Sequence, residues 1–228
     1  PNPNGFYVDG PVLEAKHRSF VGMHPIPVVH GMTLGELARM IDGEGWLRDG
    51  LRCKLTVIPC RGYTHRSRYR LPTAPSPNLP NMRAVYLYPS LCFFEGTPVS
   101  LGRGTDFPFQ AYGHPELQGD FSFTPRSNAG AKNPPLKDKL CHGVDLRTSP
   151  SDERIWEREV DLGYVIDCYR QLNLGEKFFT PMFDRLTGTD YVRQMILQGA
   201  GADRIKASWA DDVERFKQTR KPYLLYEE

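Results

Sequence analysis

"VVHGMTLGELARMIDG", residues 28–43, decides the fold class, because the pattern changes from strand to helix within six residues. Two β-branched valines run into His30-Gly31. Thr33 and Glu36 then form a T-x-x-E capping box ahead of Leu34, Leu37, Ala38 and Ile41 at helical spacing, and Gly43 and Gly45 close the helix. A strand that passes into a capped helix through a His-Gly corner is α/β architecture, and α/β enzymes place ligand residues at such corners. His30 is therefore a candidate acid–base residue, although a lone histidine there is somewhat more often a satisfied structural group. Glu36 belongs to the cap.

Outward from this corner, "LRCKLTVIPC" predicts a buried strand from Lys54 to Pro59, after the Asp49-Gly50 turn. A loop rich in Arg, Tyr and Pro follows from Arg61 to Met82, and "AVYLYPSLCFF" reads as a second strand that delivers the chain to a polar loop. Helix, strand, long loop, strand, polar loop is the order of the back half of an α/β domain. Beyond Phe109 the character changes. "FSFTPRSNAGAKNPPL" and "HGVDLR" predict short strands joined by a Pro/Gly loop. Leu162, Val165, Ile166, Tyr169 and Leu172 then share one helical face, Val192, Met195 and Ile196 another, and Val213 with Phe216 a last one. We place a domain boundary near residue 113.

The polar loop, "EGTPVSLGRGTDFPF" at 95–109, is not a phosphate loop. Gly96 and Gly102 flank five residues where that loop needs four, Arg103 stands in the lysine position, and Gly104 replaces the Ser or Thr. Glu95 and Asp106 would also repel a polyanion. The segment is still too polar and glycine-rich for a strand or helix, which predicts that it lines the main pocket, with Glu95, Arg103 and Thr105 facing it.

Composition removes other classes. Across 228 residues, 29 basic against 27 acidic side chains leave a net charge of +2, and scattered arginines argue against nucleic acid as partner. No apolar run approaches the roughly 20 residues a membrane helix requires. Cys53, Cys60, Cys92, Cys141 and Cys168 form no C-x-x-C pair, so neither a zinc ribbon nor a redox site is expected, and Cys141-His142 lacks metal-ligand company. Four of the five thiols are expected to be reduced and buried. No metal and no cofactor is expected. The opening "PNPNGFYVDGPVL" is turn chemistry without a methionine, which we read as a start inside a longer protein.

Together, "NPNGFYVDGPVL", "IPVVHGMTLGELA", "PSPNLPN", "YPSLCFFEGTPVSLGRGTDFPFQAYGHP" and "FTPMFDRLTGTDYVRQMI" resemble the bacterial exo-β-N-acetylmuramidases of the NamZ family over nearly the whole chain. "TPRSNAGAKNPPL" and Cys141 resemble its Bacteroidetes branch. The resemblance implies a Rossmann-like domain, of which residues 1–113 are the C-terminal half, followed by a smaller α/β domain at 114–228. It also implies release of terminal N-acetylmuramic acid from the non-reducing end of peptidoglycan fragments, in the periplasm or outside the cell. An upstream Pro-Glu-His-Gly segment would supply a catalytic carboxylate. The expected partners are muropeptides or disaccharides and the missing N-terminal segment of the same protein. A non-catalytic glycan-binding protein on the same fold, and a purely structural fragment, are the alternatives.

Chemically, glycoside hydrolysis needs a proton donor and a second carboxylate, unless a substrate acetamide takes the nucleophile's place. Glu95 is the best acid for a role at the sugar. Substrate binding or support of the loop through backbone N–H groups nevertheless outweighs direct catalysis by it. Arg103 either grips the lactyl carboxylate in two parallel hydrogen bonds or pairs internally with Glu95 or Asp106. Ser100 and Thr105 donate to sugar hydroxyls or cap the turn. Asn78 binds the acetamide or forms an Asx turn. Tyr63, Tyr69, Tyr88 and Phe109 offer faces for sugar rings, most of them at positions that also suit a core.

Overall fold

The computed structural model describes residues 5, 7–156 and 160–228; Asn4 of the expected Asn-Gly turn lies outside them. The class is α/β, as expected. β1 (Asp9–Val12) pairs antiparallel with β2 (Pro27–Val29), and β2 passes through His30 into α1 (Leu34–Gly43). Thr33 caps α1 as the sequence predicts: Glu36 Oε2 accepts from the Thr33 amide at 2.7 Å, and Thr33 Oγ1 accepts from the Glu36 amide at 3.4 Å. A second sheet runs β3 (Ala111–His114), β5 (Cys141–Asp145), β4 (Phe121–Phe123), again antiparallel throughout.

Two expectations fail in instructive ways. The run read as a second strand is α2 (Met82–Leu91), continued by a 3-10 turn from Cys92 to Gly96. Asn81 starts it, its side chain accepting from the Ala84 amide at 3.0 Å. Arg83, Ala84, Val85, Leu87, Pro89, Ser90 and Leu91 are all buried, and a helix buried on every side loses the 3.6-residue pattern that would separate it from a strand. The predicted strand Lys54–Pro59 does not form: no strand neighbour lies beside it among the described residues, and all of it except Val57 is exposed. A strand's backbone groups need a partner edge, and here none is supplied.

The remaining helices are α3 (Asp152–Trp156), α4 (Gly163–Leu172), α5 (Pro181–Thr187), α6 (Tyr191–Leu197), α7 (Ala202–Ala207) and α8 (Ala210–Arg220). α4, α6 and α8 carry the faces the sequence predicts. One apolar core runs from Val8 through Phe93, Phe94 and Phe183 to Phe216, so both ends of the chain share it. Asp9, buried in β1, ties them: its carboxylate accepts from Trp209 Nε1 at 2.8 Å and from the Val160 amide at 2.7 Å. A buried carboxylate survives only when its oxygens are met in this way. Arg220 closes the same seam from α8, donating to the carbonyls of Gly5, His30 and Gly31.

All five thiols are free. Cys92, Cys141 and Cys168 are buried, whereas Cys53 and Cys60 are exposed, so three rather than four are buried. The two exceptions flank the segment that fails to form a strand.

A candidate active-site cleft

A cleft of about 410 Å³ opens where three elements meet. β2 and the corner behind it bring Val28 and His30, the end of α2 and its 3-10 turn bring Tyr88, Cys92 and Glu95, and α5 brings Met182, Arg185 and Leu186. Phe20, Val21 and Met23, on the turn ahead of β2, form an exposed apolar wall.

Glu95 is the only carboxylate lining this cleft among the described residues. Arg103 donates through Nη2 to Glu95 Oε1, which is the internal pairing the sequence left open. That bond leaves Oε2 without a protein partner among the described residues. The Arg103 guanidinium also lies 5.0 Å from the centre of the Phe109 ring, and Phe109 in turn sits 5.0 Å from Tyr88. Glu95, Arg103, Phe109 and Tyr88 thus stack into one wall, with Phe109 fully buried behind it rather than offered to a ligand. Burial and the nearby Cys92 and Glu95 push the Tyr88 phenol up to about 12, so it faces the cleft as a neutral hydroxyl. Burial likewise pushes the Cys92 thiol up to about 12.

His30 enters the same cleft as a neutral group. Burial holds its imidazole down at about 4, with positive charge including Arg220 acting the same way. The Met32 amide donates to Nδ1 at 3.1 Å, so the proton of the neutral ring belongs on Nε2. His30 can donate one hydrogen bond to a ligand there.

Other predicted residues go elsewhere. Ser100 is fully buried and its Oγ accepts from the Gly102 amide at 3.3 Å. Thr105 Oγ1 donates to the Gly102 carbonyl at 2.6 Å, and the residue lines a separate hollow of about 490 Å³ with Asp106, Phe107, Phe121 and Arg147. Asn78 Nδ2 donates to the Gly130 carbonyl at 3.1 Å. Of the ten candidate residues, the structure gathers Glu95, His30 and Tyr88 at the cleft and places Arg103 and Phe109 directly behind. The expectation that Thr105 shares the Glu95 pocket is corrected by the turn itself: Thr105 is spent on closing it.

The loop can turn this tightly because of two glycines. At Gly104 (φ +82°) a Cβ would stand 2.4 Å from the Arg126 carbonyl, and at Gly96 it would stand 2.4 Å from the Phe183 amide nitrogen. The second contact seats α5 against the Glu95 turn, with the Thr180 amide donating to the Gly96 carbonyl at 2.9 Å. Sequence reasoning missed α5 and with it Arg185. Thr180-Pro181 at its start and Gly188 at its end were the available signals.

One cluster of metal-type donors exists among the described residues: Glu14, His17 and Asp190 have ligand atoms within 4.8 Å of one another. Lys16 bridges its two carboxylates at 3.1 and 2.9 Å, so a side-chain cation already occupies the position. No helix is long and apolar enough to cross a membrane among the described residues.

Two family descriptions match the chain and meet between residues 83 and 86. Residues 1–83 match the family description exo-β-N-acetylmuramidase NamZ, N-terminal, and residues 86–226 match exo-β-N-acetylmuramidase NamZ, C-terminal. The peptidoglycan β-N-acetylmuramidase NamZ of Bacillus subtilis is 33% identical over 251 residues, a match that covers 99% of this chain and 58% of that protein. A crystal structure of a DUF1343 family protein from Bacteroides fragilis superposes with a TM-score of 0.97 at 63% identity, covering 100% of this chain and 65% of the other. A second DUF1343 family structure from the same organism shares the fold, with a TM-score of 0.77 at 23% identity and the same coverage. The chain therefore spans a little under two thirds of each relative.

Proposed function

The chain belongs to the exo-β-N-acetylmuramidase NamZ family, and we propose that it is the larger part of a glycoside hydrolase that removes terminal N-acetylmuramic acid from peptidoglycan fragments in the cell envelope. In this reading residues 1–113 are the later half of a Rossmann-like catalytic domain and 114–228 a smaller domain packed on it. The observation that carries the proposal is the Glu95 cleft. Among the described residues a single carboxylate, one oxygen fixed by Arg103 and the other without a protein partner, faces a space also lined by neutral His30 and Tyr88.

One carboxylate is enough if the substrate's own acetamide attacks the anomeric carbon. With a second carboxylate from outside these 228 residues, the ordinary two-carboxylate route is open. In either case Arg103 acts through Glu95, fixing the direction of its free oxygen. His30 Nε2–H and the Tyr88 hydroxyl serve as neutral donors to sugar oxygens, and Phe20 with Met23 offers an apolar wall to the ring. Phe109 backs the Glu95–Arg103 pair, and Ser100 holds the loop behind it, whereas Thr105 and Asn78 lie away from the cleft.

The test uses the full-length protein that contains this chain. It is expected to hydrolyse a chromogenic N-acetylmuramic acid glycoside in strong preference to the N-acetylglucosamine analogue. Binding of the sugar without any turnover would replace this reading with a non-catalytic glycan-binding protein, and equal turnover of both sugars would refute the assigned specificity.

A further inference from the structure

Muramic acid differs from glucosamine by a lactyl ether, so a site that prefers it must answer one extra carboxylate. Arg103, the cation of the polar loop, is already committed to Glu95. Arg185 is not. It lines the same cleft from α5, it is exposed, and it has no hydrogen-bond or ion-pair partner among the described residues. Its neighbour Asp184 does not neutralise it, because both oxygens of that carboxylate accept from Arg193 at 2.9 to 3.1 Å. Lys16, across the β1–α5 seam, is likewise bound to Glu14 and Asp190.

The position of Arg185 is fixed even though its side chain is free. α5 is clamped to the Glu95 turn by the Gly96–Phe183 approach and the Thr180–Gly96 hydrogen bond. On the other side, the Glu14 amide donates to the Gly188 carbonyl at 2.9 Å, and Thr189 Oγ1 donates to the Glu14 carboxylate at 3.1 Å. A helix held at both ends fixes the backbone of Arg185 beside the cleft, so its free side chain always has the cleft within reach. The other nitrogen bases of the cleft, His24 and His30, are both held toward the neutral form by burial. Arg185 is thus the one fixed positive charge among the residues lining the cleft.

We infer that Arg185 is the specificity residue of this cleft, pairing with the carboxylate that a muramic acid residue carries and a glucosamine residue lacks. This rests on the glycosidase reading above only in its choice of sugar. A planar guanidinium can take a carboxylate through two N–H donors at once, which an ammonium cannot, so the chemistry requires Arg rather than any cation.

The experiment measures both binding and turnover in the full-length protein, using N-acetylmuramic acid, N-acetylglucosamine and their chromogenic glycosides. In R185A the muramic acid ligand is expected to bind about ten- to a hundredfold more weakly, with KM rising by the same factor and kcat little changed. Both parameters for the glucosamine pair should stay put, and R185K should recover only part of the loss. Thermal unfolding of the variant should match wild type, because the side chain is exposed. If the protein binds muramic acid through Arg185 but never cleaves the glycoside, this inference stands and the hydrolase reading falls. If turnover keeps its preference in R185A, or if R103A removes the preference while R185A leaves it, the inference is overturned and the hydrolase reading survives. Failure of wild type to bind either sugar overturns both.

Discussion

Residues 51–60 and residues 95–109 exchange the roles their compositions suggest. "LRCKLTVIPC" is apolar enough to read as a buried strand, yet Leu51, Leu55 and Ile58 are exposed. "EGTPVSLGRGTDFPF" is polar and glycine-rich, yet Gly96, Val99, Ser100, Leu101, Gly102, Gly104, Pro108 and Phe109 are buried. The difference lies in backbone hydrogen bonding. The polar loop satisfies itself: Phe109 N–H donates to the Leu101 carbonyl at 2.8 Å, Thr105 N–H to Gly102 at 3.0 Å, and Ser100 exchanges bonds with Gly113. Among the described residues, the backbone hydrogen bonds of the apolar run lie near its two ends, with Val57 resting on Gly35 between them. The Cys53 amide donates to Asp42 Oδ1 at 2.7 Å, and the Cys60 amide donates to the Tyr226 hydroxyl at 2.9 Å. Hydrophobicity alone did not bury a segment whose peptide groups found no edge to join.

The largest expected effect comes from breaking the self-satisfied loop. Gly104→Ala forces a side chain into the left-handed region and against the Arg126 carbonyl, and it should cost about 3 kcal/mol or more in urea unfolding. Leu55→Ala or Ile58→Ala in the same 228 residues should stay within about 0.5 kcal/mol, as exposed positions do. A large cost at Ile58 would show that the run is covered after all.

Acid should come next. Glu36 is fully buried; burial alone would raise its carboxyl, but hydrogen bonds from His65, Leu225 and Thr33 outweigh that and bring it down to about 2. His65 Nε2 lies 2.9 Å from one carboxylate oxygen and 3.1 Å from the other, and the Leu225 amide donates at 2.7 Å. This network, with the His65 amide bonded to the Glu227 carbonyl, pins the chain terminus beyond the apolar run. Because the folded value lies below the ordinary 4.5, the unfolded chain takes the proton first. The stabilisation is whole above about 4.5 and is lost as pH falls toward 2, roughly 3 kcal/mol in all. His30, depressed from 6.5 to about 4, acts with the same sign at higher pH and begins the loss below 6.5. The urea midpoint should therefore fall continuously from pH 7 to pH 3, and Glu36→Gln should flatten the lower part of that profile.

How much of this was legible follows the same division. The Thr33–Glu36 box, the faces of α4, α6 and α8, and the β4 and β5 strands were readable because local chemistry or periodicity specifies them. The second role of Glu36, as partner of His65 and Leu225, was not, since it depends on residues 29 and 189 positions away. α2 was misread because burial on all sides erases periodicity. At the cleft, Glu95, His30 and Tyr88 were legible as polar or aromatic residues at element ends. Arg185 was not, because nothing in its own neighbourhood shows that Gly96 lets α5 come so close.

The smallest effect separates the two regions by reactivity. Cys53 and Cys60, on the exposed run, should react with a water-soluble disulfide reagent within the fast phase. Cys92, Cys141 and Cys168, with thiols pushed by burial up to about 12, 11 and 12, should react only as the protein opens. Two fast thiols per chain are expected, and three or more would place the loop wall in solvent.

The central claim is that the Glu95 cleft performs the chemistry, and Glu95→Gln in the full-length protein tests it most directly, since the amide keeps shape and removes charge. With an N-acetylmuramic acid glycoside, kcat should fall about a hundredfold or more while KM changes little. A variant that turns over at the wild-type rate would contradict the account and move the reaction away from this cleft.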